Sequence, residues 1–294
     1  MRRLLLLLAL MAVACSPIPR ATEVKIDLAL KTLVPADTVL MAGARVDALL
    51  KTPLYQTYFA DKPVPAIDDL ARRTGVDPRK DLWQLLFISN GRDGVLLGRG
   101  KFADQEALKP AIGEQRSLYK GYGLIGDGRT ATLFINPSTA ALGEMPALNS
   151  LVDQIPKSMG PPASLAALLK EIPPSAQLWA AYTGGAVKLP FDANSNLANV
   201  NRLLTGSQSA ILFADLSAGM QATAQVTFSS IQGAQQARDS AQGLLGFARL
   251  GIRSGQKDLA AALDQIKVTQ DQQRVKIQID LSQELADRLL KSFR

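Results

Sequence analysis

Apolar and polar residues alternate along this chain in short strand-length blocks, separated by turn residues and by stretches of helical period. Residues 39–46 read as an apolar strand opened by Pro35-Ala36-Asp37, with Asp47 capping a short helical turn. Thr52-Pro53 is a cap followed by proline at the first helical position, and residues 65–74 read as a helix stopped by Gly75. Residues 83–89 and 95–102 alternate as two strands about Asn90-Gly91-Arg92-Asp93-Gly94, a strong hairpin signal. A helix near 105–112 follows. A second hairpin pairs residues 118–125 with 130–135 across Asp127-Gly128, and a helix near 147–155 closes the segment.

Pro156-Lys157-Ser158-Met159-Gly160-Pro161-Pro162 opens the clearest linker, after which the order restarts. Ile172-Pro173-Pro174 echoes Val34-Pro35-Ala36, and a strand at 177–182 follows. Residues 210–216 and 221–228 form a hairpin about Ala218-Gly219, then a long helix spans 231–250. Residues 266–269 and 274–281 make a last hairpin, and Ser282 caps a helix over 283–293. Phe87 and Phe102 lie fifteen apart, as do Phe213 and Phe228, which adds to the case for an internal repeat. The expected class is α+β, as two tandem repeats, each an antiparallel sheet of hairpins with helices on one face. The expected segments are 1–14 as signal peptide, 15–33 as lipidated N-terminus and tether, and 34–155 as first repeat. Residues 156–170 are then a Pro/Gly linker and 171–294 the second repeat. Whether the repeats join into one sheet or stand as two lobes is open at this point.

The amino terminus changes the picture most. Met1-Arg2-Arg3 is a short basic region, and residues 4–13 are ten apolar residues, too few to span a bilayer. They end in Ala12-Val13-Ala14-Cys15, and the chain holds no other cysteine. Here it resembles a bacterial lipoprotein precursor, in which small residues precede an acylated cysteine, although Ala12 stands where that family favours leucine. The resemblance implies that signal peptidase recognises Ala12, Val13 and Ala14, and that Cys15 carries the acyl chains holding the protein on a membrane. Two or more such chains anchor firmly, at about 0.8 kcal/mol per buried methylene. The resemblance also implies a place in the cell envelope, facing the periplasm, with Ser16 favouring an outer membrane over an inner one. The body resembles duplicated α+β lipoproteins of bacteria, a likeness resting on no sharp motif, so no catalytic residue is carried over.

Composition narrows the chemistry. The chain of 294 residues has 33 Lys+Arg, 26 Asp+Glu, no histidine and one cysteine. Discounting Arg2 and Arg3 leaves 31 cations against 26 anions, a mild excess without basic runs, so no nucleic-acid partner is expected. Without histidine there is no Ser-His-Asp or Cys-His arrangement and no His/Cys zinc site, and one cysteine forms no disulfide within the chain. Gly121-Tyr122-Gly123-Leu124-Ile125-Gly126 spells a dinucleotide motif inside a hairpin rather than between a strand and a helix, so it reads as strand glycines. Asp68, Asp69, Asp77 and Asp81 read as helix-dipole and turn residues. Ser158 and Ser164 beside Lys157 and Lys170 flank a linker, a poor place for a Ser-Lys dyad. Trp83 and Trp179 read as core.

On the long helix, Ile231, Ala234, Ala237, Ala241, Leu244, Leu245 and Ala248 form an apolar stripe expected to pack on the sheet. No catalytic residue, metal or cofactor is assigned. The expected function is that of a membrane-tethered, non-enzymatic envelope protein, a binding or assembly module with an envelope protein or lipid as partner. The alternatives are a periplasmic enzyme using carboxylates or a Ser-Lys pair, and a carrier of an apolar ligand.

Overall fold

Leu40–Ala44 (β1) and Leu178–Tyr182 (β8) are short apolar strands, each preceded at the same distance by a buried aliphatic residue and a proline turn. In this computed structural model they pair antiparallel, Ala42 opposite Ala180. The described residues are 23–63, 65, 68, 71, 76–102, 113–157, 160–185, 206–253 and 255–292. The seam between β1 and β8 has local two-fold symmetry. Arg45 N–H donates to the Gln177 carbonyl at one end, and Thr183 N–H donates to the Val39 carbonyl at the other. The turns entering the strands match as well, Thr38 N–H bonding Pro35 and Ala176 N–H bonding Pro173, both at 3.2 Å.

Outward from β1 come the hairpin Leu82–Ser89 (β2) and Gly94–Gly100 (β3), then Thr139–Glu144 (β7), Thr130–Asn136 (β6), Tyr122–Gly126 (β5) and Gln115–Tyr119 (β4). Outward from β8 come Ser207–Asp215 (β9), Gly219–Phe228 (β10), Arg274–Ser282 (β12) and Ile266–Asp271 (β11). Among the described residues the two halves therefore make one antiparallel sheet of twelve strands, with β4 and β5 as an extra hairpin on the first side. Pairing β1 with β8 covers two strand edges that would otherwise be open templates for aggregation.

Cross-strand partners point to the same side of a sheet, so two ladders describe its faces. One runs from Gly43 through Leu86, Leu97, Ala141, Leu133 and Leu124, and on the other side through Trp179, Phe213, Thr223, Gln278 and Lys267. It is apolar in the first half and becomes polar in the second. The ladder one residue on runs from Ala180 through Leu212, Ala224, Ile277 and Val268, apolar throughout. Helices follow the apolar surface. Leu28–Lys31 (α1), Met145–Gln154 (α5) and Ala163–Leu169 (α6) bury Leu30, Leu148, Leu151, Leu165 and Leu169 against the first ladder. Ile231–Leu250 (α7), Lys257–Asp264 (α8) and Gln283–Ser292 (α9) cover the opposite face. Of the remaining helices, Val46–Leu49 (α2), Pro53–Tyr58 (α3) and Pro78–Asp81 (α4), α3 joins α9, where Tyr58 Oη donates to the Asp287 carbonyl.

The α+β class holds. Among the described residues the helices that cover each half of the sheet lie on one face of that half, but the covered face changes between the halves, because β10 and β12 put their aliphatic residues on the parity opposite to that of β3 and β7. Several expected elements need correction. The single strand expected over 118–125 is two, β4 and β5, since Lys120 and Gly121 turn the chain with φ of 48° and 87°. The strand β7 and the helix α8 are additional. Residues 163–169 of the expected linker are a helix with Leu165 and Leu169 in the core. Val24, Leu30 and Leu33 of the expected tether are core too, and Gln84 holds that segment through Asp27 N–H and the Lys25 carbonyl. Asp47 lies in the first turn of α2, whose cap position is Arg45. The phenylalanine spacing marks no equivalence: Phe87 lies opposite Ala42, whereas Phe213 lies opposite Trp179 and so on the other face. The helix expected near 105–112 and most of 65–74 lie outside the described residues.

Candidate functional site

The acylation signature, Ala12, Val13, Ala14 and Cys15, lies outside the described residues, as do Asp69 and Ser158. The other carboxylates are brought together as an ion-pair cluster. Asp77 caps α4 by accepting from Arg79 N–H, and Arg79 reaches Asp77 at 3.0 Å and Asp68 at 2.7 Å. The Arg79 side-chain hydrogen bond holds the Asp77 carboxyl below its usual range. Asp81 accepts from Asp77 N–H. Each of these three carboxylates has a structural task, and among the described residues no group of three or more His, Cys, Asp or Glu converges as a metal site. Ser164 and Lys170 are exposed near opposite ends of α6. Trp179 is core as expected. Trp83 is not: it sits in a bulge of β2, partly exposed, with the Arg99 guanidinium 5.9 Å from its ring centre. Arg99 also pairs with Asp27 and donates to the Ser138 carbonyl.

Two features remain as candidate binding surfaces. The first is the distal half of α7. Ser230 caps this helix at Gly233 N–H, and its proximal half packs through Ala234 and Ala237 on Val226, Val268 and Val275. Of the expected stripe, Ala234 is buried and Ala237, Ala241 and Leu245 are half-buried, while Ile231, Leu244 and Ala248 are exposed. Beyond Ser240 a second face carries Leu244, Phe247 and Leu250, exposed by 70%, 75% and 83%. Three-residue spacing sets these side chains along one side of the helix. Beyond the chain neighbours and the helix's own backbone, no heavy atom lies within 4 Å of where a Cβ would stand on Gly243 or Gly246. Arg249 lies on the side of the helix away from this row, where it pairs with Asp264 of α8.

The second is an open cleft of 650 Å³ at one end of the seam, lined by Lys25, Arg45, Lys51, Thr52 and Pro174 among others. Its wall is a buried network around Gln177. The Gln177 amide donates to the Ser175 carbonyl, to Asp215 and to the Ser217 hydroxyl, and its oxygen accepts from Leu216 N–H. Burial pushes the Asp215 carboxyl up, but hydrogen bonds from Ser217, Ser175 and Gln177 together outweigh it, and the group sits below its usual range. A carboxylate lowered on folding stabilises above the ordinary range near pH 4 and loses that contribution as acid approaches its lower folded value. Melting of wild type against Asp215→Asn is therefore expected to show a gap near pH 6 that closes below about pH 4. Sequence reasoning missed this cleft. Its cations stand singly along the chain, and the only local signal is Arg45 closing an apolar strand.

The chain matches no family model and no curated protein. Solved structures do match it. Crystal form III of TP0453 superposes with a TM-score of 0.52 at 11% identity, over 91% of this chain and 99% of that one. Crystal form I gives a TM-score of 0.47 at 11% identity, over 92% and 98%. What the chain shares with TP0453 is its fold. The match covers 91% of this chain, so the α+β fold has a counterpart in a solved structure.

Proposed function

We propose that this protein is a membrane-tethered lipoprotein of the cell envelope whose body is a non-enzymatic binding module, and that the distal face of α7 is the surface it lays on lipid. The observation that carries this reading is the row Leu244, Phe247 and Leu250, held out from the sheet on a capped helix. An amphipathic helix of this kind buries its apolar side at the headgroup boundary of a membrane. Among the described residues no helix is long and apolar enough to cross a membrane, so α7 would lie on the surface. The two-fold seam supports two tandem copies as the origin of the body.

The tether is Cys15, with Ala12, Val13 and Ala14 before it. Metabolic labelling with a palmitate analogue is expected to mark the wild-type chain and leave Cys15→Ser unmarked. Equal labelling of both, or of neither, would remove the lipoprotein assignment.

A further inference from the structure

The cleft at the seam is independent of α7 and of the tether. Among the described residues that line it, three are cationic, Lys25, Arg45 and Lys51, and none is a carboxylate. Among the described residues none of the three has an ion pair. Arg45 is the informative member. It is half-buried, its backbone N–H is fixed on the Gln177 carbonyl at 2.7 Å, and its guanidinium donates to the Pro174 carbonyl at 2.9 Å. Arginine withdrawn from water is ordinarily paired with an anion. Here the guanidinium is oriented without one, at the rim of an open space.

Both walls of the cleft are built by the seam. Arg45 follows β1, and Pro174 and Ser175 precede β8, so pairing of the two strands sets the spacing of the guanidinium and the opposing turn. Lys25 arrives from the amino-terminal segment that Gln84 holds through the Lys25 carbonyl. Ala48, Pro53 and Pro174 give the remaining wall an apolar character. A planar guanidinium with two ammonium groups suits a phosphate, which accepts several donors at once. The volume falls within the range of small-molecule sites, about 300–1,000 Å³.

We propose that this cleft binds a phosphate ester, with the phosphate held by Arg45, Lys25 and Lys51 and the organic part resting on the proline wall. A soluble glycerophosphate and a phospholipid headgroup share this chemistry. Isothermal titration of the full chain in a non-ionic detergent, at about 0.15 M salt to suppress loose charge attraction, tests it. Glycerol 3-phosphate and a dispersed short-chain phosphatidylglycerol serve as separate probes. Binding of the first supports a soluble ester, and binding of the second alone supports a headgroup. Either should weaken about tenfold or more in Lys25→Gln/Lys51→Gln, whose substituted side chains are exposed and leave the melting temperature unchanged. Lys101→Gln/Lys267→Gln, an equal loss of charge elsewhere on the surface, should bind as wild type. The proposal fails if neither probe binds, or if the two double variants lose affinity equally.

Discussion

Gly43→Ala is expected to lower the melting temperature by about 5–10 °C, a loss of about 3 kcal/mol at the upper end of overpacking effects. A Cβ on Gly43 would lie 2.3–2.5 Å from three atoms of the Trp179 indole, closer than real contacts allow. The indole has nowhere to go: it is 3% exposed, inside the main core, and directly across the seam from Gly43. The strain therefore falls on the β1–β8 pairing that joins the halves. Trp179→Phe removes the crowding atoms, and the indole nitrogen makes no hydrogen bond that would be lost. The double variant should thus be at least about 1 kcal/mol more stable than the sum of the single effects, as expected for residues in contact. Additive losses in denaturant melts would show that Gly43 and Trp179 do not meet.

Leu165→Ala is expected to cost about 2–5 kcal/mol, the range for a leucine removed from a packed core. Leu165 is 0% exposed, on a helix within a stretch whose prolines and glycine mark a linker. A linker residue would tolerate the change. Ser164→Ala, its exposed neighbour, should stay within about 0.5 kcal/mol, so the pair separates core from linker in one urea titration.

These two sites show where the sequence was readable and where it was not. The hairpins β2–β3, β9–β10 and β11–β12 follow from alternation and turn residues, and α7 from its period. Thr52 before Pro53 and Ser282 before α9 act as the caps their types imply. All of these are local properties. The sheet's change of apolar face was not legible, because it depends on the register of strands far apart in sequence. The same holds for Gly43, an ordinary strand glycine until Trp179 is placed across from it. Short elements were lost when their apolar residues were few: α6 is about two turns with only Leu165 and Leu169 buried, and β4 is almost wholly exposed. The seam cleft is the extreme case, since Lys25 joins Arg45 and Lys51 only through the hold of Gln84 on the amino-terminal segment, and the opposing wall arrives only when β1 and β8 have paired. On α7 the period was read correctly and its consequence only in part. Ala234 and Ala237 pack on the sheet as expected and Ala248 does not, while Phe247 and Leu250 fall outside that stripe and form an exposed row of their own with Leu244.

That row is where the functional account is most exposed to test. With Cys15→Ser removing the native thiol, a polarity-sensitive dye can be placed on Ser240→Cys, beside the row, or on Gln242→Cys, on the other side of the helix. Vesicles containing phosphatidylglycerol are expected to shift the emission at residue 240 to the blue, leave residue 242 unchanged, and lose their effect when Phe247→Glu is added. No shift at residue 240, or equal shifts at both positions, would contradict the assignment of α7 as the lipid-facing surface.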